Sequence, residues 1–480
     1  MKKEMKTAIR IIAAGLAVSL ALVSCAKQEV MDNGSTNPVG GARTIAVSFA
    51  NGSAKSTLEG LQPKFVANDV IKISNGSATE DCTVSIDGSG NATITTELTG
   101  ALTMVYPAAV AKMNGNAIEG IIVPAVQDGT FASANICMAT LADRATEAQF
   151  VNQTALLRFY VDARIGVKSI KVTSSTNNIA TDAKIITVDP DGDDTLDKFT
   201  DGPDKRLCYV SVLGGVNAST LTLTSETTTQ GTVTRPKPMA STTLTAGTMY
   251  NAFIPYYIKI KVSDSPETYQ KWAYCNVGAF LPEEYGLYFA WGETTGHKAN
   301  FETMKFENDY CFDWAHAPFN NGSSEYNAAY FSSVKSTIYA NGYLALDYDA
   351  ARVNWGSSWR MPQDAEFKAL KNATYWAWDN TEKRYYVFSP DASHLAGKHA
   401  LSFPADLSKT DALFSFSTSG GYGSGVDLKR TDRSRYWSSN LTDKLTDDYS
   451  YGVGIDEWGN PTIGGTYNRY LGLRVRPLSD

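Results

Sequence analysis

The first half of this chain alternates in short runs. Ile45, Val47 and Phe49 occupy every second position, as do Val84 and Ile86, then Ala92 and Ile94. A period of two puts these side chains on one face of a pleated strand, so each run needs a second layer to cover it. Between the last two runs, Asp87-Gly88-Ser89-Gly90 has the chemistry of a tight reversal, and a hairpin is expected there. Leu157, Phe159 and Val161 mark a further strand. After a break at 162–166 the pattern resumes with Ile170 and Val172, then Leu221 and Leu223, and closes at 250–257. No long helical period interrupts it. Strands this short and this regularly punctuated predict a mainly β protein with stacked β-sandwiches over 43–164 and 165–257.

The second half differs in kind. All nine tryptophans lie between Trp272 and Trp458 and all four histidines between His297 and His399, while 43–257 holds neither. The boundary falls at 258–268, where Lys259, Lys261, Asp264, Ser265 and Pro266 predict a linker. From Tyr269 to Asp480 the chain is aromatic, Gly-rich and loop-heavy. Pro362 predicts a helix over 364–372, with Phe367 and Leu370 on one face and Asp364 and Glu366 near its positive end. A second short helix is expected over 347–353. Arg474 and Arg476 alternate with Leu473 and Val475, so both are expected to point away from the apolar face. There they would bond loop carbonyls and carboxylates, or alternatively an anionic ligand. Apolar residues are 43% and charged residues 19%, which describes a globular chain. The formal charge is -7, and because the first 24 residues are net +3 the remainder carries -10. That balance lacks the basic stripe a nucleic-acid partner needs.

At the N-terminus, Lys2, Lys3, Lys6 and Arg10 precede an apolar run over 11–23, too short for a comfortable membrane span. It ends in Leu22-Val23-Ser24-Cys25, which resembles the lipobox of bacterial lipoprotein signals. The resemblance implies a leader over 1–24, lipidation at Cys25, and a lipid anchor in the outer membrane with the protein exposed at the cell surface. The alternative is a plain signal peptide with a chance cysteine. Residues 25–42 are polar and Gly/Asn-rich and predict a flexible tether, about 55 Å if fully extended. Cys82, Cys137, Cys208, Cys275 and Cys311 are an odd, scattered set, so at least one buried free thiol is expected, with Cys275–Cys311 the pair to test. No CxxC or Cys/His cluster suggests zinc, and neither metal nor cofactor is expected. The acidic stretch 189–197 has Asp194 where a calcium loop of the EF-hand type needs Gly and Thr200 where it needs Glu, so a solvated hairpin tip is expected instead.

The first strand at 44–49, Lys55 before Thr57-Leu58, Tyr106-Pro107-Ala108 and the closing Tyr250-Asn251-Ala252-Phe253-Ile254-Pro255 together resemble the fimbrillin-like family of Bacteroides-type bacteria. The resemblance implies transthyretin-like β-sandwiches. It also implies assembly with other fimbrial subunits by strand addition, in which proteolysis removes the first strand and a neighbour's strand fills the groove. Cleavage after Arg43 would remove only the tether, whereas cleavage after Lys55 would remove the strand. Since Lys55 stands where many relatives carry arginine, an accessory or tip subunit, or a non-polymerising surface protein, is the expectation.

In the second half, Trp272-Ala-Tyr-Cys-Asn-Val-Gly-Ala279, Trp355-Gly-Ser-Ser-Trp-Arg-Met-Pro362, Tyr436-Trp-Ser-Ser439 and Gly472-Leu-Arg-Val-Arg-Pro477 are similar to the Fibrobacter succinogenes major paralogous domain. That family implies an α+β C-type-lectin-like fold over 269–480, related to the sulfatase-modifying-factor fold. Trp272, Trp291, Trp355, Trp359 and Trp437 are expected in the core. Trp376, Trp378, Asp379 and Asn380, with Tyr422 and Trp458, form the candidate ligand cluster, since aromatic faces beside amides and carboxylates suit a pyranose, although core packing is the alternative for the rings. Pro362-Gln363-Asp364 and Trp437-Ser438-Ser439 stand in place of the triplets that build a calcium-dependent sugar site, so such binding is not implied. No GxSxG, HExxH or nucleotide fingerprint is present. The reading is a non-catalytic adhesin or accessory fimbrial subunit whose C-terminal domain contacts a host or dietary glycan, a protein or another subunit. Its alternatives are a glycan-capturing lipoprotein of a polysaccharide-utilisation system and an oxidase-like enzyme.

Overall fold

The computed structural model describes residues 41–50, 63–162, 164–188, 207–389, 399–400, 403–405, 407–417, 421–429, 433–442, 447–456 and 461–480. The expected leader, Cys25, most of the tether, Lys55, the acidic stretch 189–197, His394 and Trp458 lie outside them. The described chain is mainly β, as the alternation requires.

The first layer is an eight-stranded sheet. Its strands are β1 (Arg43–Phe49), β2 (Val70–Ser74), β3 (Thr79–Thr83), β4 (Ser85–Ile86), β5 (Ala92–Thr96) and β6 (Leu102–Tyr106). After an excursion containing β7 (Ala111–Asn114), β8 (Ala117–Ile121), β9 (Val126–Gln127) and α1 (Phe131–Ala134), it is completed by β10 (Cys137–Leu141) and β11 (Glu147–Asn152). The order is β3-β2-β6-β10-β11-β1-β5-β4. The expected reversal is present: the Asp87 side chain accepts from the amides of Ser89 at 2.8 Å and Asn91 at 2.9 Å and closes the β4–β5 hairpin. Ile45, Val47, Ile71, Ile73, Ile94, Met104 and Phe150 bury into one cluster. Phe65 joins it, stacked on Phe49 with ring centroids 4.2 Å apart.

The next two sheets form a second layer pair. One has the order β15-β12-β18, from β12 (Thr154–Tyr160), β15 (Leu207–Leu213) and β18 (Met249–Asn251). The other has the order β17-β16-β13-β14-β9, from β13 (Val167–Ser174), β14 (Ile185–Val188), β16 (Leu221–Thr227) and β17 (Gly231–Thr234). The sequence places β12 in the first sandwich, yet its strand ladders are formed with β15 and β18 of the second pair. Its apolar run Ala155-Leu156-Leu157 is buried on both faces, which suits the centre of a three-stranded sheet rather than an amphipathic edge. The excursion from the first layer also crosses over. β9 pairs with β14, and Phe131 of α1 packs edge-on to Tyr209 at 5.2 Å.

The stretch 258–268, expected as a linker, is a hairpin. β19 (Tyr257–Asp264) and β20 (Glu267–Ala273) pair from Tyr257↔Ala273 to Asp264↔Glu267. Ile258, Ile260 and Val262 alternate beneath the lysines, and Ile260 is buried. β20 then pairs with Leu478–Ser479, which pairs in turn with Trp359–Arg360, so the C-terminal region closes on its own last residues. A five-stranded sheet follows, built on Arg433–Leu441 and Tyr449–Asp456, and a four-stranded one on Tyr375–Asp379 and Arg384–Phe388.

Among the described residues helices are few: after α1 come α2 (Ala328–Ile338), α3 (Ala350–Trp355) and α4 (Asp364–Ala373). α4 lies where Pro362 predicts it. Gln363 and Glu366 form a reciprocal capping box, and Phe367 and Leu370 are buried. α3 starts later than expected because Asp349 caps it, accepting from the amides of Ala351 at 2.9 Å and Arg352 at 3.1 Å. Residues 346–348 form a tighter 3-10 turn before that cap. Among the described residues, no helix is long and apolar enough to cross a membrane.

The second layer pair and the C-terminal region share one hydrophobic core. Tyr160 stacks on Tyr274 at 4.9 Å and Phe253 leans on Trp355 at 4.9 Å. Gly356, at φ +106, lies so close to Pro236 that a Cβ would stand 2.4 Å from that ring. Arg164 adds a polar tie, donating to the carbonyls of Ala412 and Leu413 while Asp162 holds its guanidinium from below.

Candidate functional site

β1 is held along both edges. It runs antiparallel to β5, from Arg43↔Thr96 to Val47↔Ala92, and parallel to β11, from Ala46↔Glu147 to Phe49↔Phe150. Arg43 is therefore part of the paired strand, and its guanidinium donates to the carbonyl of Gly100 at 3.0 Å. A protease reaching Arg43 must first unpair it, because proteases cleave extended, unpaired backbone.

Of the candidate ligand cluster, the Trp376 and Trp378 rings are core, and Trp458 lies outside the described residues. Trp376 and Trp378 lie in the strand Tyr375–Asp379, every residue of which is buried. Trp376 stacks on Phe416 at 5.1 Å and 3°, and its Nε1 donates to Thr374. Trp378 packs on Tyr385 at 5.2 Å. With 1% and 3% of their surface exposed, neither offers a face to a sugar. The strand lies between two neighbours, and the rings belong to the same buried cluster as Phe367 and Leu370 of α4. Asp379 is also committed: it caps a turn through the amides of Thr381 and Glu382, both at 2.8 Å, and pairs with Lys409 at 2.6 Å. Those contacts hold its carboxyl below the usual range although burial pushes the other way. Asn380 is exposed and accepts from Lys383 at 2.8 Å. Tyr422 stands on a different sheet, its ring under the Arg435 guanidinium at 3.8 Å.

The five tryptophans expected in the core are there, each at most 6% exposed. Arg474 and Arg476 are a correction. Both are fully buried rather than turned outward, so an external anion has no access to them. Arg476 does bond carbonyls, those of Tyr274 at 2.8 Å and Ser415 at 2.9 Å, together with Asn276 at 2.8 Å. Arg474 lies over the Tyr436 ring at 4.8 Å. Cys82, Cys137, Cys208, Cys275 and Cys311 are all free, so the pair Cys275–Cys311 is not formed. Burial pushes the Cys82 and Cys137 thiols up to about 12.

What the sequence reading missed is a cluster of ionisable side chains in 293–316. Glu293 accepts from His297 at 2.7 Å and from the Tyr310 hydroxyl at 2.8 Å, and the His297 and Tyr310 rings stack at 3.3 Å. Next along the chain, the Cys311 thiol donates to Asp313 at 3.0 Å, and Asp313 binds both the Nδ1 (2.7 Å) and the amide (3.0 Å) of His316. Burial, then the bond to Asp313, pushes the Cys311 thiol up to about 11. The only sequence signal is the spacing Cys311-x-Asp313-x-x-His316, which lacks a second cysteine. A separate cleft of ≈ 280 Å³ opens where the second layer pair meets the C-terminal region, lined by Arg235, Lys237, Phe253, Phe280, Asn354 and Trp355.

No protein-family model and no curated protein matches the chain. Among solved structures, one from Bacteroides uniformis, described as a candidate cell adhesion protein, is similar at 13% identity and a TM-score of 0.27, covering 45% of this chain and 93% of its own. Another so described, from Bacteroides ovatus, is similar at 11% identity and a TM-score of 0.28, covering 49% and 96%. A third, from Bacteroides thetaiotaomicron, gives 12% and 0.25 over 44% and 91%. Likeness at this level fixes neither fold nor role.

Proposed function

We propose that this chain is a non-catalytic cell-surface attachment protein, an adhesin or accessory fimbrial subunit, tethered by lipid at Cys25 and presenting its C-terminal region outward. The observation that carries this reading is the place of β1. It is the strand that follows the expected tether in sequence, and it is paired on both sides inside the first sheet. A pull on the tether is then resisted by the hydrogen bonds of the strand's two ladders at once. β1 is also the strand whose loss would open a groove between β5 and β11, a template for a neighbour's strand.

Mass spectrometry of the N-terminus of protein taken from cells and from purified fibres tests it. An acylated Cys25 with β1 retained supports a tethered, non-polymerising protein. A start beyond residue 49 supports assembly by strand replacement. An unprocessed, unacylated start throughout contradicts surface tethering altogether.

The cleft of ≈ 280 Å³ favours a second reading, capture of a soluble glycan. Half-buried Phe253 offers an apolar wall there, backed by the buried Phe280 and Trp355, and Asn354 and Lys237 offer polar ones. Glycan arrays probed with the full chain separate the two readings: robust sugar binding lost in Lys237→Ala favours capture, and its absence favours attachment.

A further inference from the structure

We propose that Cys311, Asp313 and His316 form a binding site for a thiophilic divalent metal ion, with zinc the ion their donor set fits best. The three side chains bring one sulfur, one carboxylate oxygen and one imidazole nitrogen within 4.8 Å of one another. A thiolate together with imidazole selects zinc over calcium or magnesium, which take oxygen ligands alone. Tetrahedral zinc, with ligand bonds of about 2.0–2.3 Å, separates its ligand atoms by roughly 3.3–3.8 Å. Here Sγ lies 3.0 Å from Oδ2 of Asp313 and Nδ1 of His316 lies 2.7 Å from its Oδ1, with one donor atom from each residue within 4.8 Å of the others. Small side-chain rotations therefore admit the ion without moving the backbone.

The backbone is what makes the site. Phe312 is buried, its ring seated against Gly423 and Gly472, where a Cβ would stand 2.3 Å and 2.5 Å from it. Its amide and carbonyl bridge to Gly425 at 2.8 Å and 2.9 Å. In extended backbone, the neighbours of an inward residue both point outward, so Cys311 and Asp313 share the opposite face. The Asp313 side chain then turns the chain by accepting the His316 amide, which returns the imidazole to the same face. Tyr310 supports the ring edge-on at 5.8 Å.

The side chains of His316 and Asp313 are 52% and 42% exposed, which gives an ion a route in and leaves a fourth position for water. On binding, the sulfur–metal bond forms as the Cys311 thiol proton leaves to solvent, and His316 ligates as the neutral imidazole.

The test uses the reduced full chain, loaded with zinc and desalted, with cobalt as the spectroscopic probe. About one zinc per chain is expected, together with a thiolate-to-cobalt charge-transfer band that disappears in Cys311→Ser. Affinity should fall at least roughly tenfold in His316→Ala, a change at a half-exposed side chain that leaves the fold intact. Sub-stoichiometric zinc, or a band of wild-type intensity in Cys311→Ser, overturns the proposal. So does unchanged affinity in His316→Ala.

Discussion

The first sheet and the rest of the molecule bury their apolar residues in different ways. The first sheet gathers Ile45, Ile71, Ile73, Met104 and Phe150 into a cluster drawn wholly from 45–150. The second layer pair has no such privacy: its core takes in Val105 of β6 and Ile136, and runs through Leu157, Phe159, Phe253 and Tyr274 to Trp355 and Trp437. A change of composition along a chain therefore need not mark a mechanical boundary. The tryptophans begin at Trp272, yet Phe253 and Tyr160 are already part of the packing that holds Tyr274 and Trp355.

This contrast predicts where damage spreads. Trp355→Ala should have the largest effect, about 3–5 kcal/mol, and hydrogen exchange should show β12–β18 and the C-terminal strands losing protection together while the first sheet keeps its own. Ile73→Ala should cost about 2–4 kcal/mol and act in reverse, exposing β2, β6 and β10 alone. Gly356→Ala should cost about 1–3 kcal/mol, since it forces a Cβ toward Pro236 at an unfavourable φ, and thermal melting reads the loss. The smallest effect is electrostatic. Burial opposes ionisation of Asp162, but Arg164 outweighs it and holds the carboxyl below its ordinary value. That stability is present above the unfolded value of about 3.9 and is lost as pH falls through the lowered folded value. The penalty of Asp162→Asn, roughly 1 kcal/mol near pH 6, should therefore shrink in melts taken progressively below about pH 4.

Features set by local chemistry were legible in the sequence. The Asp87 turn and the α4 cap depend on residues within four positions of one another, and both form where expected. The core tryptophans were legible too, since large rings gain most by burial. What failed depends on partners distant in sequence. β12 alternates well enough to close the first sandwich, but only β15 and β18 decide where it pairs. The hairpin at 257–273 was hidden because Lys259, Lys261 and Asp264 look like a solvated connection, while the strand's other face supplies Ile260 to a core. Trp376 and Trp378 precede Asp379 in a pattern equally suited to a sugar platform or a central strand, and their packing on Phe416 and Tyr385 in a cluster shared with α4 settles it for the strand. The Cys311 cluster needed the anchoring of Phe312 by Gly423, Gly425 and Gly472, more than a hundred positions later.

Native-state hydrogen exchange on the full chain, followed by mass spectrometry across a denaturant series, measures this division directly. The shared core predicts that amides of β12, β13 and β16 open at the same denaturant concentration as those of Arg433–Leu441 and Tyr449–Asp456, with β2, β6 and β10 opening as a separate group. If β12, β13 and β16 open with the first sheet while the C-terminal strands stay closed, the second layer pair belongs to the first sandwich, and the shared core does not hold.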